Sequence, residues 1–129
     1  MPPSVETFFP IIRVGDLERS LAFYCDLLGL TAGYRWPAEG DPQFVVVAAG
    51  DASLGLAVGD NPYEPDDRFE LCFYVESVDG TVGQLGAEGV PVLHEPEDMP
   101  WGERMAWVAD PDGNRVHLTE RSSATVIGS

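Results

Sequence analysis

Apolar and polar residues fall into two rounds of the same rhythm along this chain. Residues 7–14 alternate as a strand does, with Phe9 and Ile11 on one face and Phe8, Ile12 and Val14 mostly on the other. Pro10 cannot donate to a strand ladder, which predicts an edge or an exchanged terminal segment. Leu17, Leu21, Tyr24, Cys25 and Leu28 then recur at helical spacing. Asp16 is the N-cap candidate, Glu18 suits the positive end of the helix dipole, and Gly29 closes the helix as a C′ residue. Strands follow near 31–36, 43–49 and 53–58, the last two joined by Ala49-Gly50-Asp51-Ala52.

A proline- and acid-rich connector over 61–66 ends the first round. Phe69 to Val75 reads as a strand, a helix over 78–88 opens at Ser77 or Asp79, and strands follow near 91–94, 104–109 and 114–119. Gly80, Gly83 and Gly86 each cost this helix about 1 kcal/mol relative to Ala, so packing of Val78, Val82 and Leu85 must hold it. In Asp110-Pro111-Asp112-Gly113-Asn114, Pro111 fixes the first turn torsion, Asp112 can bond its own backbone and Gly113 accepts positive φ. Strand, helix and three strands thus occur twice, roughly sixty residues apart, which predicts α+β rather than a doubly wound sheet. The expected fold is one domain over 1–129 with halves about 5–60 and 67–121. Its two βαβββ repeats form a curved, mostly antiparallel sheet, and the small, polar tail 122–129 is loose.

Composition narrows the function classes. The 22 acidic residues against 7 basic ones give a net charge of −15, and every basic residue is arginine. Phosphate-backbone binding needs clustered cations, so no nucleic acid is expected, while an acidic field enriches cationic ligands. The missing lysine excludes a Schiff base and a phosphate-loop lysine. No apolar run approaches a membrane span and the N-terminus lacks a leader pattern, so a cytoplasmic protein without a membrane partner is expected. Cys25 and Cys72 are expected to be buried and inert, neither beside a base. No Gly-x-Ser-x-Gly occurs, and Gly83-Gln84-Leu85-Gly86 sits inside the predicted second helix.

Pro100-Trp101-Gly102 and Asp110-Pro111-Asp112-Gly113-Asn114-Arg115-Val116-His117 stand out, together with Ile11-Ile12-Arg13-Val14-Gly15-Asp16-Leu17-Glu18-Arg19-Ser20-Leu21-Ala22-Phe23-Tyr24. This combination resembles the vicinal oxygen chelate superfamily of glyoxalases, extradiol dioxygenases and bleomycin-resistance proteins, over essentially the whole chain. Pro-Trp-Gly and Val-His point to the bleomycin-resistance branch. Enzymes of the superfamily hold a divalent metal with one residue from each of four strands. The resemblance places those positions at Phe9, near Gly55, at Glu70 and at His117. Phe9 has no lone pair and Gly55 no side chain, so no metal and no cofactor are expected.

Glu70 and His117 leave two readings open: a polar pair lining a groove, or a general acid/base unit. Flat aromatic faces at a groove suit a planar ligand, which singles out Trp101, Phe44 and Trp36, with Tyr34 close by. The expected ligand-binding set is Phe9, Trp36, Phe44, Glu70, Trp101 and His117. Trp107 and Phe73 are assigned to the core and His94 to the surface. The resemblance implies a homodimer that sequesters a cationic, partly planar antibiotic, bleomycin-like compounds among them, in a groove between subunits. The alternatives are a glyoxalase- or dioxygenase-like enzyme, a metal-free isomerase using Glu70 and His117, and a carrier shielding its producer's own metabolite.

Overall fold

In the computed structural model, which describes residues 3–59 and 69–121, the chain divides into two compact units, Met1–Tyr63 and Glu64–Ser129. The connector at 61–66 and the tail at 122–129 lie outside the described residues. The first unit runs β1 (Ile11–Val14), α1 (Leu17–Leu21, continued as a π-helical segment over Ala22–Leu27), β2 (Thr31–Trp36), β3 (Phe44–Ala49) and β4 (Ala52–Val58). The second runs β5 (Leu71–Tyr74), α2 (Val78–Ala87), β6 (Val92–Asp98), β7 (Arg104–Ala109) and β8 (Arg115–Glu120). Each unit is one four-stranded sheet, ordered β1-β4-β3-β2 and β5-β8-β7-β6. In both, the first strand lies parallel to the last and the remaining pairings are antiparallel. The α+β repeat legible in the sequence is the observed architecture.

Local chemistry explains the elements and three departures from expectation. The Asp16 carboxylate accepts from the Arg19 N–H at 3.1 Å and starts α1. Gly29 at φ 85° ends the helical segment, with the Leu30 N–H donating to the Tyr24 carbonyl at 2.9 Å. The π-helical turn shifts the buried face. Phe23 packs edge-on against Tyr24 at 4.8 Å, whereas Leu21 and Cys25, expected inside, are half-buried. Strand β1 begins only at Ile11. Pro10 still accepts from the Gly55 N–H at 2.9 Å, but has no N–H with which to extend the ladder. Strand β6 continues to Asp98 rather than stopping at 94, because on a sheet edge Pro96 need not donate.

Ser77, not Asp79, caps α2 by accepting from the Gly80 N–H at 3.0 Å. Asp79 instead takes Arg104 in a two-point pair at 2.7 and 3.0 Å, and Arg104 also reaches Asp98. That guanidinium holds the Asp79 carboxyl below its ordinary range. The Glu120 carboxylate accepts from the Val78 N–H at 2.7 Å, tying the helix start to β8. Buried Val78, Val82 and Leu85 supply the packing that the glycines cannot. Beneath the helices, Val14, Val47 and Leu56 in the first unit and Val108, Val116 and Leu118 in the second are fully buried. The strand pleat sends every second side chain to the opposite, helix-free face.

Candidate functional site

The two helix-free faces differ in chemistry. In the first unit Trp36 pairs in register with Phe44, and Tyr34 lies 6.2 Å from the Phe44 ring. Gly55 lies beneath that ring. A Cβ there would stand 2.9 Å from both Phe44 Cε1 and Ile11 Cγ1. Ile11, Tyr34 and Trp36 are largely exposed, and Phe9, two residues before Ile11, is partly so. This face is mostly aromatic and aliphatic, and exposed Arg13, two residues after Ile11 on β1, shares it.

The second unit's helix-free face carries a cluster of titratable groups. Cys72 of β5, His117 of β8 and Trp107 of β7 are register partners across the sheet, and Trp107 pairs with His94 of β6. Trp107 meets His117 edge-to-face at 4.6 Å and His94 at 5.0 Å. Glu70, just before β5, places Oε2 3.0 Å from His117 Nε2, and its other oxygen lies 3.6 Å from Arg115 Nε. The His117 side chain is only 14% exposed. Its buried Nε2 is close to the carboxylate without being aligned for a hydrogen bond. Cys72 Sγ lies 3.4 Å from the Thr119 hydroxyl. Further along the same face, Glu103 is buried at 9% exposure and accepts from the Tyr74 hydroxyl at 3.1 Å and the Trp101 indole N–H at 2.8 Å. Partial burial, then the bond to Glu103, raises the Tyr74 phenol above its ordinary value.

The expected ligand-binding residues therefore fall into two groups. Phe9, Trp36 and Phe44 belong to the first unit, with Trp36 and Phe44 side by side. Glu70, His117 and Trp101 belong to the second, with Glu70 against His117 and Trp101 fixed by Glu103. Two expectations are corrected. Trp107 is half-buried on the helix-free face beside His117 rather than in the core, because odd positions of β7 share the face of His117. Cys72 is exposed rather than buried, and it sits opposite a base. The last turn is also tied by Asp110, whose Oδ1 accepts from the Asp112 and Asn114 N–H groups at 3.0 and 2.8 Å. Glu103 and Arg115 were not singled out in the sequence. A carboxylate two residues after an exposed Trp was the only local signal for Glu103.

The residues at the four metal positions do not fit a divalent ion. Phe9 offers no donor atom and Phe44 and Ile11 close over Gly55, which leaves Glu70 and His117 as two donors where a site needs at least three. Among the described residues, no three His, Cys, Asp or Glu side chains are grouped to hold a metal ion. No helix among them is long and apolar enough to cross a membrane.

Comparison with known proteins returns one family. The model described as the Glyoxalase/Bleomycin resistance protein/Dioxygenase superfamily matches residues 6–118. A probable lactoylglutathione lyase of Synechocystis is 32% identical over 123 residues, 88% of this chain and 93% of that protein. A lactoylglutathione lyase of Neisseria meningitidis is 30% identical over 132 residues, 88% of each. The solved lactoylglutathione lyase of Agrobacterium tumefaciens superposes with a TM-score of 0.68 at 26% identity, over 93% of this chain and 96% of that one. TioX from Micromonospora gives a TM-score of 0.72 at 20% identity, over 94% of this chain and 100% of that one, a likeness of fold.

Proposed function

Because the chain belongs to the Glyoxalase/Bleomycin resistance protein/Dioxygenase superfamily, we propose that it is an enzyme on that fold. It would move a proton between adjacent oxygen-bearing carbons of a small α-hydroxycarbonyl compound. The observation that carries this reading is the Glu70 carboxylate 3.0 Å from the His117 imidazole on the helix-free face of the second unit. In the proposed reaction Glu70 takes the proton from the carbon next to the carbonyl. His117 donates to the carbonyl oxygen as negative charge develops there, giving an enediol. Glu70 then returns its proton to the former carbonyl carbon while His117 takes the proton of the original hydroxyl, which becomes the new carbonyl, so both groups end as they began. No step passes through a metal. The relatives named lactoylglutathione lyase support the class, since a lactoyl group is a 2-hydroxyacyl group.

Exchange of carbon-bound hydrogen with deuterated water, followed by NMR on chelator-treated protein, tests this with a panel that includes the glutathione hemithioacetal of methylglyoxal. Exchange without metal is expected. Glu70→Gln and His117→Gln should each slow it by about 10²–10⁴-fold at an unchanged unfolding midpoint. No exchange with any member, or exchange only after a divalent metal is added, would remove the reading.

The first unit's face supports a second reading, sequestration of a cationic, partly planar antibiotic in the groove of a homodimer. Tyr34, Trp36 and Phe44 present aromatic surface there, and the net charge of −15 favours cations. Bleomycin titration followed by tryptophan emission, with light scattering for the dimer, decides it. An unchanged spectrum and a single-chain mass would dismiss it.

A further inference from the structure

We infer that Arg115 is the carboxylate-reading residue of the second unit's site, and that the preferred compound is an α-hydroxycarbonyl acid whose carboxylate is bonded to the reacting carbonyl. This deepens the isomerase reading and rests on it.

The chain has no lysine, so a permanently cationic side chain that meets an anionic ligand group must be an arginine. Within the described part of the second unit, Arg104 is held by Asp79 and Asp98 on the helix side, and Arg121 lies over the Tyr74 ring at 4.3 Å. Arg115 is different. Its contact with Glu70 runs through Nε at 3.6 Å, longer than a hydrogen bond, and its side chain is 42% exposed. The outer edge of the guanidinium, the pair of N–H groups that matches a carboxylate in two-point geometry, makes no hydrogen bond among the described residues.

Position fixes the chemistry further. Arg115 and His117 lie two residues apart on one face of β8, about 6.6 Å along the strand, and Glu70 reaches both. A ligand held by the guanidinium fork while its carbonyl meets His117 and its acidic C–H meets Glu70 has room for only one or two bonds between carboxylate and reacting carbon. A long-tailed acid would place its anion elsewhere. Binding such an anion against a chain of net charge −15 requires a local cation, and Arg115 supplies it.

Hydroxypyruvate and dihydroxyacetone share the α-hydroxyketone and differ in the carboxylate, so they serve as the probes. The readouts are hydrogen exchange in deuterated water and the shift of the Trp107 indole N–H resonance, assigned with Trp107→Phe. The wild type should show a KM for hydroxypyruvate at least tenfold below that for dihydroxyacetone. Arg115→Gln should raise the hydroxypyruvate KM by about tenfold to a hundredfold, shrinking the preference, and Arg115→Lys should restore part of it. Equal KM values in the wild type, or a preference that survives Arg115→Gln, would overturn the role of Arg115 and leave the isomerase reading standing. If neither compound exchanges nor shifts the indole resonance while the glutathione hemithioacetal exchanges, the role of Arg115 falls alone; if no compound of the panel exchanges, both fall.

Discussion

The same position in the two sheets carries a glycine in one and a histidine in the other. Gly55 lies between Ile11 and Val46, and His117 between Cys72 and Trp107, at matching places in the strand order. One residue further along, Leu56 and Leu118 both turn to the helix side and both are fully buried. The helix-side positions are alike because each must fill space under a helix at close-packed density. The helix-free positions carry no such duty and have diverged: one set closes an aromatic surface, the other assembles a carboxylate, an imidazole, a thiol and a guanidinium. Sites are grafted onto a repeated scaffold, and only the face not needed for packing can be grafted.

The sharpest way to break this comparison is to test the part that should be equal. Leu56→Ala and Leu118→Ala should each cost about 2–5 kcal/mol, with similar shifts of the urea midpoint. A large cost in one half and almost none in the other would mean that the helix-side layers are not equivalent. Next comes the part that should differ. Gly55→Ala forces a methyl against Phe44 and Ile11 and should destabilise by about 1–3 kcal/mol, with partial recovery in the Gly55→Ala/Phe44→Leu pair. A Gly55→Ala protein as stable as the wild type would mean that the ring does not close this position.

The thiols sharpen the comparison by rate rather than stability. Burial, and then the neighbouring Asp26, raises the Cys25 thiol above its ordinary value, while Cys72 stands exposed beside Thr119. Iodoacetamide at neutral pH should therefore label Cys72 before Cys25, as read by peptide mass spectrometry. Labelling of Cys25 first would contradict the exposed placement of Cys72.

The smallest effect concerns acid stability and belongs to the second unit. The Asp79 carboxyl is depressed by Arg104, so its contribution is present above the ordinary carboxylate range and is lost as pH falls through the depressed value. The gap in urea midpoint between wild type and Asp79→Asn should shrink as pH is lowered from 5 toward about 2. A gap independent of pH would show that the pair is not the cause.

Much of the fold was legible in the sequence because its signals are local. Alternation gave the strands, Asp16 and Ser77 were already cap candidates, and Gly29, Gly89 and Gly113 all adopt the positive φ that glycine tolerates. The π-helical turn was not legible, because a single inserted residue of helix pitch leaves the apolar spacing of Leu21 and Cys25 intact while moving their faces.

By itself, then, the sequence determined the βαβββ repeat, the acidic and lysine-free composition of the chain, and the loss of donors at Phe9 and Gly55. These follow from side-chain chemistry and periods of a few residues. Only the tertiary structure decided that Cys72 stands opposite His117, that Trp107 leaves the core, that Glu103 holds Trp101 and that Arg115 flanks Glu70. Each depends on register between strands, or on how a loop folds back onto a sheet. A one-residue slip would send every one of those strand side chains to the other face, and no local window of sequence states which register is chosen.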